Sequence, residues 1–181
     1  MADAGWVVEL AKYIGGGVAG WLSHVFSRRG KSRRVRRHLY KEIGENYARA
    51  DTALRGSDPG AVRELPSILN FDYFAHAQKD MDTFHGLGDY STILGFYRAY
   101  RDIAAKSGFD DAPIVAAAQR ANTWLDGFVA NPLNKIGKAL VESASPSLRK
   151  RMRQNAARLL AANRKAKAAS KRARDASTET K

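Results

Sequence analysis

From Val35 onward, apolar residues return every three or four positions, and nowhere do β-branched residues alternate with polar ones over the length of a strand. Only an α-helix gathers residues at that spacing onto one face, so the chain is expected to be all-α. Val35, Leu39, Ile43, Tyr47, Ala50 and Leu54 mark a core-facing helix that starts within a basic stretch and is closed by GSDPG at 56–60. A short piece over 61–70 is interrupted by Pro66. Phe71, Phe74, Ala77, Met81 and Phe84 mark the next helix, closed by HGLGD at 85–89. Tyr90, Ile93, Leu94, Tyr97, Tyr100, Ile103 and Ala104 form the most regular set. Asp111 is the expected N-cap, with Pro113 in the first turn, of a helix through Val115, Ala118, Thr123, Leu125, Phe128 and Val129. A brief helix through Leu133, Ile136 and Leu140 follows. Ser145 and Pro146 open the last one, which carries Leu148, Met152, Leu159 and Leu160 and then dissolves into a tail of alanine and cations. Tyr40, Tyr47, Tyr73, Phe74, Phe84, Phe96, Tyr97 and Tyr100 are expected to fill the core.

Upstream of this body stands a segment of different character. Trp6, Val7, Leu10, Ile14, Val18, Trp21, Leu22, Val25 and Phe26 line most of a helix from Gly5 to Ser27, leaving a narrow polar strip with Glu9 and Lys12. The run from Tyr13 to Ser27 has no charge and is about 22 Å long as a helix, short of a hydrocarbon core of about 30 Å. Adding Gly5 to Lys12 reaches spanning length and brings Glu9 and Lys12, one turn apart, to the boundary. The segment is therefore expected to be a membrane anchor, as a single-pass or an interfacial helix. Gly16 and Gly20 form a GxxxG pair through which two copies can associate.

Arg28, Arg29, Lys31, Arg33, Arg34, Arg36 and Arg37 follow at once, seven cations in ten residues. Cations directly after an apolar run stay on the cytoplasmic side, which places the N-terminus out and the C-terminus in the cytoplasm. A cytoplasmic, peripheral attachment is the alternative. Anionic lipid headgroups are the expected partner of this stretch. Anchor and body are expected to be joined by one long, kinked helix, with Gly30 as the break.

The charge of +13 is concentrated at the flanks. Residues 28–42 hold eight Lys or Arg against Glu42 alone, and residues 147–181 hold twelve against Asp175 and Glu179, whereas residues 43–146 hold ten against thirteen acids. The tail cations Arg164, Lys165, Lys167, Lys171, Arg172 and Arg174 are expected to contact anionic lipid or the phosphates of a nucleic acid, without reading sequence. The free tail is expected to be disordered or partly helical.

Chemistry finds little footing. With no cysteine there is neither a thiolate metal site nor a cysteine nucleophile. GGGVAG at 15–20 lacks the Lys-Ser or Lys-Thr of a phosphate-binding loop, HGLG at 85–88 follows no strand, and no serine sits in a G-x-S-x-G elbow. Asp72, His76 and Asp80 share a helical stripe, but two carboxylates and an imidazole beside Lys79 make a poor metal site. No catalytic residue, metal site or cofactor is assigned, and an enzyme is not expected. The domain reading is an anchor helix over 1–27, a polybasic segment over 28–37, a helical bundle over 38–143, and a basic helix and tail over 144–181. Its function is read as a non-enzymatic, membrane-anchored docking module for a protein partner. The main alternative is a soluble nucleic-acid-binding accessory protein, and a further one a membrane-active protein of phage or toxin type.

Overall fold

The computed structural model describes the backbone of residues 5–179 apart from Ser57, Ser107 and Phe109, and the side chains of Ser27 and of residues 30–171 apart from those three and Pro59. The described residues form helices and no strand, so the fold is all-α. Eight helices follow in order: α1 (Gly5–Arg55), α2 (Pro59–Ile68), α3 (Asp72–Gln78), α4 (Met81–His85), α5 (Tyr90–Ala104), α6 (Asp111–Ala130), α7 (Lys135–Ser143) and α8 (Pro146–Glu179).

The C-terminal half of α1 is the axis of the bundle. Leu39, Tyr40, Ile43, Tyr47, Ala50 and Ala53 are buried, and α2 to α7 all pack on this helix. α6 returns antiparallel to it: Asn122 and Asp126 meet Tyr47, and the residues after α6 lie beside Arg36 and Tyr40. α8 runs parallel to α1, with Leu148 against Gly44 and Asn155 against Asp51 and Arg55. Seven of the eight expected core aromatics are buried; Tyr73 is half-buried against the ring of His38 at 4.9 Å. Phe74 stacks on Tyr97 at 3.9 Å and meets Phe84 edge-on at 5.6 Å.

Helix ends follow local chemistry. Asp58 accepts from Gly60 N at 2.8 Å to start α2, Asn134 accepts from Ile136 N and Gly137 N to start α7, and Ser145 Oγ accepts from Leu148 N to start α8. Arg149 reaches back to donate to the carbonyls of Val141, Glu142 and Ala144, the open end of α7.

Several expectations are corrected. α1 is helical through Gly30 without a break; one glycine costs about 1 kcal/mol in a helix, too little to end one that continues on both sides. Pro66 does not interrupt α2, which ends two residues later at Ile68. The helix expected from Phe71 to Phe84 is two, because the Asp80 side chain accepts from Thr83 N at 3.2 Å and caps a new start; Met81, expected in the core, is half exposed. α6 has Asp110 at its N-cap position, with Asp111 as its first residue. Thr123, read as part of the core stripe of that helix, is exposed.

The last helix differs most. Leu148, Met152 and Ala156 are buried, so its first turns belong to the bundle. Rather than dissolving, the helix continues to Glu179, and every described residue from Leu160 to Lys171 is exposed. Nucleation is the costly step of helix formation, and the packed turns supply it, after which alanine propagates the helix.

Candidate functional site

The two described parts of the polybasic set lie at opposite ends of the bundle. At the end where α1 enters, Lys31 Nζ pairs with Asp80 Oδ2 at 2.5 Å, and that bond to Lys31 holds the Asp80 carboxyl below its usual range. Arg36 Nε donates to Asp89 Oδ1 at 3.0 Å, and Tyr40 donates its hydroxyl to the other oxygen of Asp89. These two cations brace the loops around α4 against α1. Arg33, Arg34 and Arg37 are exposed, and no carboxylate among the described residues lies within 4 Å of them. Beside Arg36 opens a cleft of about 610 Å³ whose rim carries Leu133, 88% exposed, and Lys135.

At the far end, Arg164, Lys165, Lys167 and Lys171 are all exposed on the free length of α8. Trp6, Val7, Leu10, Ile14, Val18, Trp21, Leu22, Val25 and Phe26, with Gly16, Gly20, Arg28 and Arg29, lie on the helical backbone of α1, but their side chains fall outside the described residues, as do those of Arg172 and Arg174. Among the described residues no helix has a stretch long and apolar enough to cross a membrane. Nor is there, among them, a group of three or more metal-ligating side chains: Asp80 turns to Lys31, away from Asp72 and His76.

Between α1, α6 and α8 runs a polar seam that the apolar pattern does not announce. Tyr47 donates its hydroxyl to Asp126 Oδ1 at 2.8 Å and accepts from Asn155 Nδ2 at 2.6 Å. Asn155 donates to Asp51 Oδ1 at 3.0 Å, Arg55 Nε donates to the same oxygen at 3.0 Å, and Arg151 lies 3.5 Å from Asp51 Oδ2. Tyr100 donates to Asn122 Oδ1 at 3.1 Å. Burial pushes the Asp126 carboxyl up to about 6, with the Asp51 charge adding to it and the bond from Tyr47 and the charge of Arg55 opposing it.

That shift makes a pH-dependent prediction. A carboxyl whose pKa is higher folded than unfolded binds more protons in the folded state. Its contribution to stability is thus greatest at low pH and falls as pH rises from about 4 to 6. A shift of this size corresponds to about 3 kcal/mol, which solvent and the facing arginines screen to about 1–2 kcal/mol. Asp126→Asn keeps an acceptor for Tyr47 without the charge. The variant is expected to match the parent near pH 4 and to exceed it by about 1–2 kcal/mol above pH 6. Urea midpoints measured across that range decide it; a pH-independent difference refutes the assignment.

No protein-family model, curated protein or solved structure matches the chain. Fold and surface together define an all-α bundle pierced by one long helix and extended by a second.

Proposed function

We propose that the chain is a non-enzymatic, membrane-attached docking module whose bundle faces the cytoplasm. The observation that carries this reading is the unbroken helix α1, which joins the apolar residues 5–27 to the packed half beginning at Leu39 with no linker between them. Where the two meet, Arg33, Arg34 and Arg37 lack a carboxylate within 4 Å among the described residues. Headgroup phosphates complement such cations by about 1 kcal/mol each. The exposed Leu133, next but one to Lys135, stands beside Arg36 at the same end, where an apolar side chain between cations suits a bilayer interface. Apolar segment and cations together hold the chain more firmly than either does alone.

The docking role draws on Trp124. Its ring lies over Gly95 and against Phe96 and Phe128, and it stays 41% exposed. A rigidly seated, half-open aromatic is the kind of anchor that protein partners bury.

Val18→Asp with Trp21→Asp tests the attachment. The parent chain is expected in the membrane pellet of expressing cells and the double variant in the supernatant; identical fractionation of the two overturns the reading. Alkaline carbonate then sorts the mode: a parent chain that resists it spans the bilayer, and one that is released lies on the surface.

A further inference from the structure

We infer that the free length of α8 is a binding arm for double-stranded DNA, which lies in the major groove and holds the phosphates on either side without reading base sequence. Its geometry carries the inference. Leu148, Met152, Asn155 and Leu159 point α8 toward the bundle. At 100° per residue, the opposite side of the helix carries Ala157, Ala161 and Ala168, all exposed. Arg164, Lys167 and Lys171 form a row on one flank of these alanines, and Arg158 and Lys165 a row on the other, about 140° apart. No acid interrupts residues 156–174. A floor of alanine methyl groups between two cationic flanks, open over about 20 Å, suits a groove about 12 Å wide walled by phosphates.

Other polyanions fit less well. Beyond Leu160 this helix has no large apolar side chain to bury in a bilayer. Single strands are held by aromatic stacking, and there is no aromatic residue after Phe128. The major groove of duplex RNA is too narrow to admit the helix. Nor does the arm share the ligand of the other cationic set. α1 and α8 run in parallel, and α1 covers about 27 Å between Arg33 and Asp51. A further 20 Å or so of α8 separates Asn155 from the middle of the arm, so several Debye lengths of about 8 Å divide the two charge clusters.

The inference goes beyond the membrane reading and stands or falls separately from it. The test is binding of the full chain, in neutral detergent, to a DNA duplex of about 20 base pairs over a salt series. Residues 156–174 hold seven cations in sequence, which give a logarithmic salt slope near −6 at most, about −0.9 per phosphate neutralised. Arg164→Ala/Lys167→Ala/Lys171→Ala keeps the helix, since all three are exposed and alanine is the best helix former. It is expected to reduce the slope by about 3 and to weaken binding at least tenfold, equally for unrelated sequences. Arg33→Ala/Arg34→Ala/Arg37→Ala is expected to leave the slope unchanged. An unaltered slope in the arm variant overturns the inference. So does an arm variant that loses mixed phosphatidylcholine–phosphatidylserine vesicles but keeps DNA, or tighter binding to single strands or to duplex RNA. Failure of the membrane reading shows instead in Val18→Asp/Trp21→Asp fractionating like its parent, which leaves the DNA result untouched.

Discussion

Glu42→Ala is expected to cost about 4 kcal/mol, a large share of the roughly 5–15 kcal/mol that holds a domain together. Glu42 is 5% exposed, and its carboxylate accepts from Tyr73 N at 2.8 Å, Phe74 N at 3.0 Å and the Tyr97 hydroxyl at 2.5 Å. The two amides belong to the first turn of α3, whose own N-cap residue, Phe71, makes no side-chain cap. Glu42 thus caps α3 from another helix, and its charge suits the positive end of that helix. Removing it strands the two amide donors and leaves the Tyr97 hydroxyl with only its longer bond to the Leu39 carbonyl at 3.3 Å, at 1–3 kcal/mol for each donor that finds no water. The urea midpoint is expected to fall by about 2 M for a slope near 2 kcal/mol per M. Amides of residues 72–85 should lose their protection from hydrogen exchange first. Glu42→Gln, which keeps one acceptor oxygen but adds donors facing donors, belongs between parent and alanine variant at about 2 kcal/mol. A loss below about 1 kcal/mol for the alanine variant would falsify the capping role.

Glu42 also shows why part of the fold was hidden from sequence reasoning. In the basic stretch it counts as the one acid among eight cations, a surface charge. Yet it stands at i+3 from Leu39 and i−1 from Ile43, in the core-facing register. Asn46, at the next turn of the same face, is fully buried and pairs with both backbone groups of Asn70. Asn122 and Asp126 repeat the pattern on α6 beside Ala118, Ala121 and Leu125. Apolar spacing identifies most faces, with Met81, Thr123 and Leu133 as exceptions, but it assigns polar residues to water by type. A polar residue held inside by neighbours three and four positions away is the signal that was available.

The start of the last helix was legible at Ser145, because that bond is local, whereas the caps Asp58 and Asn134 went unread. Continuity was legible only in part. The sequence puts anchor and body on one long helix, but with a break at Gly30. Gly30 and the alanine–cation tail lack apolar residues to mark a face, so periodicity falls silent although the helix goes on. The cationic set was legible residue by residue. Its division was not, because only folding tells that Lys31 and Arg36 face Asp80 and Asp89 while Arg33, Arg34 and Arg37 face outward.

Gly137→Ala is expected to cost about 3 kcal/mol, at the upper end of what overpacking a core usually costs. A methyl group at Gly137 would sit 2.6 Å from the carbonyl carbon of Phe128 and 3.0 Å from Val129 N, and closer still to the Phe128 oxygen. All three atoms are backbone of the last turns of α6, so no side chain can swing aside. α7 cannot step away either. Asn131 to Asn134 join it tightly to α6, Leu140 and Val141 are buried beneath it, and Arg149 fastens its far end. Relief therefore has to come from displacing α7 as a unit, which loosens its packing on α1 near Tyr40. Gly127→Ala is the matched control, the residue just before Phe128 on the exposed side of α6, with no atom within 4 Å of the new methyl. It is expected to stabilise by about 0.5–1 kcal/mol, the ordinary gain of alanine over glycine inside a helix. Urea unfolding of the two variants side by side should shift in opposite directions, and a Gly137→Ala midpoint at or above the parent's would mean that α6 and α7 do not approach as closely as described.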